Sequence, residues 1–128
     1  MAKFLVWVGR IISALPVLLM LASAGAKLGA AAKMGWAAPI VKQLTHLGYP
    51  VHLLLPIGIV EICCVILYVI PRTCVLGAIL MTSFLGGATA SHVRVDDPFF
   101  IPVIVGVLVW LGLLLRDKRL WPLLPLRR

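Results

Sequence analysis

Four apolar runs, each about the length that crosses lipid, leave this 128-residue chain little else to build with. A spanning helix needs roughly 20 mostly apolar residues. The runs cover about Leu5 to Gly25, Pro50 to Ile70, Cys74 to Ser91 and Phe99 to Leu115. Residues of hydrophobic type make up 62% of the sequence, against about 45–50% in a soluble domain. A short chain cannot hide that excess from water, whereas a bilayer supplies an apolar phase. Inside lipid each backbone polar group must be satisfied within its own segment, which favours helices. The expected fold is all-α: a single integral membrane domain over 1–128, built as a four-transmembrane-helix antiparallel bundle. Short connections favour antiparallel neighbours.

The first run exceeds the ~7–15 residue core of a secretory signal. Ala22-Ser23-Ala24 resembles a cleavage site, but the run ends in Lys27 and further spans follow. It reads as a retained helix. Pro16 interrupts it and frees the carbonyl of Ile12 from its helical partner. Between the first and second spans, Ile40, Leu44 and Leu47 recur at helical spacing, with Lys42, Gln43 and His46 on other faces. This pattern predicts a short interfacial amphipathic helix, stopped by Gly48. Asp97 is expected to cap the fourth helix, with Pro98 at its first position.

The net charge of +8 does not point to nucleic acid. Basic residues stand at the ends of apolar runs, where they anchor and orient a membrane protein. Lys3, Arg10, Arg72, Arg116, Lys118, Arg119, Arg127 and Arg128 fall on the side of both termini. Lys27, Lys33, Lys42 and Arg94 fall on the other. The bias places both termini in the cytoplasm.

Glu61 carries the most chemical information. A carboxyl inside a span is expensive and marks function by default. It is either protonated or ionised against a partner. Counting from Pro50 puts it near mid-membrane, with no basic residue at its depth and Lys27 nearer the outer end. Hydroxyls of Ser13, Thr82 or Ser83 could reach it. The bland alternative is a neutral carboxylic acid bonded to the carbonyl freed by Pro16. His92 follows a face of small residues, so with Arg94, Ser83 and Glu61 it is expected to line a cavity open to the outer side. Here the bland alternative is a solvated loop in which Arg94 pairs with Asp96 or Asp97. Ser83, Gly87 and Ser91 repeat every four residues beside Gly86, a spacing that lets helices pack closely in lipid. The chain offers no pair of His or Cys at metal-ligand spacing, and Cys63, Cys64 and Cys74 form no C-x-x-C. They read as packing residues.

Several stretches together resemble the DoxX-like family of small bacterial membrane proteins. They are Leu47-Gly48-Tyr49-Pro50, Pro56-Ile57-Gly58-Ile59-Val60-Glu61 and Ile70-Pro71-Arg72-Thr73. Gly86-Gly87-Ala88-Thr89-Ala90-Ser91-His92-Val93-Arg94-Val95, Asp97-Pro98-Phe99-Phe100 and the tail Leu123-Leu124-Pro125-Leu126-Arg127-Arg128 complete the pattern. The resemblance implies a multi-pass protein of the bacterial inner membrane. Some relatives are associated with thiosulfate:quinone oxidoreductase complexes, and others with oxidative-stress or thiol-redox assemblies. Related four-helix proteins of animals assist receptor assembly or bind lipophilic ligands. Glu61 and His92 stand at motif positions, while the missing C-x-x-C departs from a thiol-redox role. The leading expectation is a membrane subunit that binds a quinone or another lipophilic small molecule, with a membrane redox partner. The alternatives are a non-catalytic assembly scaffold and a small transporter working as a homo-oligomer.

Overall fold

The computed structural model of the protein describes residues 2–123; the expected tail with Arg127 and Arg128 lies outside them. Five α-helices account for most of these residues: α1 (Ala2–Ala31), α2 (Ala38–His46), α3 (Leu54–Val69), α4 (Cys74–Arg94) and α5 (Phe100–Arg116). Single turns of 3-10 helix at Gly35–Ala37 and Val51–Leu53 lead into α2 and α3, and Lys118–Leu123 follows α5. The described residues contain no strand.

Among the described residues, three helical segments are long and apolar enough to cross a membrane: Lys3–Ala31, Val51–Val69 and Cys74–Arg94. The segment Phe100–Arg116 is equally apolar in character but shorter. The surface they present suits lipid rather than water. On α1, Phe4, Trp7, Ile11, Leu15 and Leu18 form an exposed stripe at helical spacing. Such a stripe would be a severe aggregation liability in water.

The contacts join α1 to α3 and α5, and α4 to α3 and α5. Met20, Cys64, Val65, Tyr68, Met81 and Val109 meet in the shared core. Tyr68 is its one large polar member. Its hydroxyl donates to the carbonyl of Val109 at 2.8 Å and is hydrogen-bonded to Ser13 Oγ at 3.0 Å. One side chain thus ties α1, α3 and α5 together. Glycines permit the closest helix approaches. A Cβ on Gly77 would run into the backbone of Leu67 and Tyr68, and one on Gly9 would lie 2.8 Å from the carbonyl oxygen of Gly112.

The close approaches are therefore not where the Ser83/Gly86/Gly87/Ser91 spacing suggested. Ser91 is buried, but Ser83, Gly86 and Gly87 are exposed. A Cβ added at Gly86 or Gly87 would touch nothing within 4 Å. Spacing locates a face of small residues, but not which way α4 is rotated.

The short amphipathic helix is present as α2, with Leu44 and Leu47 buried and Ile40 half-buried. Gly48 ends this segment in the left-handed region at φ 93°. Asp97 does not cap the helix that follows. The residue preceding α5 is Phe99, which makes no side-chain cap. The Asp97 carboxylate instead lies 3.0 Å from His46 Nε2, on α2.

Candidate functional site

Lys27 and Glu61 form a buried ion pair. Lys27 Nζ lies 2.7 Å from Glu61 Oε2, and the two side chains are only 7% and 2% exposed. Lys27 also donates to Ser23 Oγ at 2.6 Å, one helical turn back on α1. Ser23 Oγ in turn stands 3.5 Å from the same Glu61 oxygen. The ammonium lies 5.7 Å from the centre of the Phe84 ring. Gly58 lets α3 come close at this level, since a Cβ there would sit 3.3 Å from Lys27 Cβ.

This pair corrects the expectation that no basic residue reaches Glu61. Two facts of tertiary structure explain the difference. First, α3 starts at Leu54 rather than Pro50, so Glu61 lies only about 11 Å along its axis. Second, α1 continues unbroken to Ala31 despite Pro16, which keeps Lys27 on the inward face of a helix. The hydroxyls expected beside Glu61 are occupied elsewhere. Ser13 bonds Tyr68, Thr82 Oγ1 donates to Ala78 O and accepts from Trp110, and Ser83 Oγ donates to Ile79 O. No hydrogen bond joins Glu61 to the Ile12 carbonyl among the described residues.

Next to the pair lies a cavity of about 460 Å³. Its walls come from all five helices, and Ser23, Lys27, Glu61, Ser83, Ser91 and His92 supply polar groups. The rest of the lining is mostly apolar, including Met20, Phe84, Leu85 and Val105. Ligand pockets of roughly 300–1,000 Å³ with a few polar groups in apolar walls are the usual pattern. Ile40, Gln43 and Leu44 of α2, with Leu47 just after it, close one side. Two contacts help hold that cover: Tyr49 and Ser91 share a hydrogen bond of 2.6 Å, and Arg94 Nη2 donates to the carbonyl of Leu47.

Of the four residues expected at the site, Glu61, His92 and Ser83 therefore stand around one cavity. Arg94 does not line it and acts on the α2 connection from outside. It makes no salt bridge with Asp96 or Asp97 either; Asp97 pairs with His46. Ser23 and Tyr49 are site residues that sequence reasoning missed; Lys27 was placed at the outer end beside His92 and Arg94, but not against Glu61. The four-residue spacing of Ser23 and Lys27 on one helix face was the available signal. Cys63, Cys64 and Cys74 are free thiols, exposed, buried and intermediate in turn.

No curated protein and no solved structure matches the chain. The model of one family does match, over residues 11–113, a stretch that contains the ion pair, the cover helix and His92. This multi-pass membrane protein belongs to the DoxX-like family.

Proposed function

We propose that the protein binds a small lipophilic molecule, of the quinone class or similar, within a four-span antiparallel bundle, and serves as a membrane subunit linked to redox metabolism. The observation that carries the reading is the 460 Å³ cavity with an ion pair in its mostly apolar wall. Burying two charges is costly, and replacing such a pair with apolar residues is often neutral or stabilising. A buried pair facing a cavity is therefore better accounted for by function than by stability. The head of the ligand meets Lys27 and Glu61, His92 stands further along the wall, and the tail lies against Phe84, Leu85 and Val105.

The bilayer is the inner membrane of a bacterium in this reading, with both termini in the cytoplasm. With Lys27 held inside the protein, only Lys33, Lys42 and Arg94 remain as basic residues on the opposite side. That sharpens the charge asymmetry which sets orientation. A second reading, an assembly scaffold, draws support from exposed Gly86 on α4, where an added Cβ would meet nothing within 4 Å. Small residues on a lipid-facing helix favour docking of another helix.

The test is mass spectrometry, with a redox difference spectrum, on material purified in mild detergent. The binding reading expects a stoichiometric lipophile that is lost in Ala88→Phe, which fills the cavity. Bulk phospholipid alone, identical in both proteins, would overturn it and favour the scaffold.

A further inference from the structure

Resting on the ligand-cavity reading, we infer that the site selects a neutral amphiphile whose head donates hydrogen bonds: a lipophilic alcohol or phenol rather than a fatty acid or a head that only accepts. The argument is an account of protons. Both protein contacts of Glu61 converge on Oε2. Oε1 has no hydrogen-bond partner among the described residues, and a carboxylate oxygen only accepts. The hydroxyls lining the cavity have spent their hydrogens on the protein. Ser83 Oγ donates to Ile79 O and Ser91 Oγ to Gly87 O. With its own hydrogen used, Ser91 Oγ accepts that of Tyr49 at 2.6 Å.

His92 follows the same logic. Its Nδ1 lies 2.7 Å from the Ala88 carbonyl oxygen, which can only accept, so Nδ1 carries the hydrogen. The neutral ring then offers Nε2 as an acceptor. Setting aside the amide of exposed Gln43, which both donates and accepts, the unspent groups of the cavity wall are two acceptors, Glu61 Oε1 and His92 Nε2, against one Lys27 hydrogen. That Lys27 hydrogen lies on the side of the Phe84 ring. Charge narrows the class further. The Lys27–Glu61 pair is neutral as a unit, so a neutral ligand adds no net charge to a low-dielectric site. A carboxylate would place a second anion beside Glu61, and like charges at that range are disfavoured. If the ligand is a quinone, the same accounting favours its reduced, dihydroxy form.

The discriminating probes are nonylphenol, its methyl ether and decanoate, titrated into the full-length protein in nanodiscs and followed by ligand-observed NMR. The expected result is phenol binding about tenfold or more tighter than the ether, because a hydrogen bond to a charged group is lost. Both should be displaced in Ala88→Phe, and the preference should shrink in Glu61→Gln, whose amide supplies donors of its own. Equal affinity for phenol and ether, both blocked by Ala88→Phe, would overturn the donor selection while leaving the cavity reading intact. Tighter binding of decanoate would overturn the neutral-ligand selection. Binding indifferent to Ala88→Phe would overturn the cavity reading and this inference with it. The wild-type comparison of the probes stands even if the Glu61 variant fails to fold.

Discussion

Lys27 and Glu61, 34 residues apart in the chain, meet at 2.7 Å with both side chains withdrawn from the surface. Each ion answers the other's desolvation, so neither is tolerable alone. Removing one partner of a buried pair costs roughly 3–5 kcal/mol. Lys27→Met and Glu61→Leu should each lower thermal stability in detergent by an amount of that order. The double variant should cost much less than their sum, since it leaves no uncompensated charge. Strict additivity in this double-mutant cycle would show that the pair is not coupled.

The glycines divide into two groups with opposite expected signs. Gly77→Ala forces α4 off the backbone of Leu67 and Tyr68, so it should be strongly destabilising. Gly86→Ala meets nothing within 4 Å and should be neutral or stabilising by up to about 1 kcal/mol, from helix propensity. Melting temperatures of the two variants check this. A loss of stability at Gly86 comparable to that at Gly77 would mean that a partner helix rests on this face.

The cover over the cavity should be the first part of the protein to open. Arg94 holds the Leu47 carbonyl and Tyr49 bonds Ser91. Arg94→Met and Tyr49→Phe should raise hydrogen exchange across α2, Tyr49→Phe by about 1 kcal/mol, the worth of one hydrogen bond. Exchange in the middle of α3 should stay unchanged, because its protection comes from the core. Equal acceleration in both helices would indicate that α2 and α3 open as one unit.

Beyond the last long helix, Asp117 accepts from the Arg119 backbone N–H at 3.0 Å and from its guanidinium at 3.0 and 2.9 Å. The side-chain bonds from Arg119 hold the Asp117 carboxyl below the usual range. A carboxyl lowered on folding stabilises at pH above its ordinary value, and that contribution is lost as pH falls through the lowered one. The Asp117 carboxyl carbon should titrate below the ordinary aspartate value of about 3.9, and Arg119→Ala should return it toward that value. Because Arg119 is exposed, the effect on overall stability should be small. A midpoint unmoved by Arg119→Ala would contradict the assignment.

Much of the helical content was legible in the sequence because its cause is local. Apolar runs bounded by Pro, Gly and charged turns mark where α3, α4 and α5 lie to within a few residues. The Ile40/Leu44/Leu47 spacing marks α2 for the same reason. The capping role expected of Asp97 fails, and its carboxylate lies instead beside His46, far back in the chain. The small-residue spacing on α4 did not locate the tight helix approach, which falls at Gly77 against Leu67 and Tyr68, because the rotation of a helix is set by its packing partners rather than by its own spacing.

The sequence by itself determined that this is a helical chain for an apolar phase, with one carboxyl in a span that demands an explanation. Hydropathy and composition act residue by residue, so they survive without a fold. Only the tertiary structure decided what answers that carboxyl. Whether Lys27 reaches Glu61 depends on where α3 begins, on α1 continuing past Pro16, and on Gly58 letting the two helices close up. Each is a distance between segments far apart in the chain. A buried charge is made tolerable by distance, and distance is what a linear sequence leaves open.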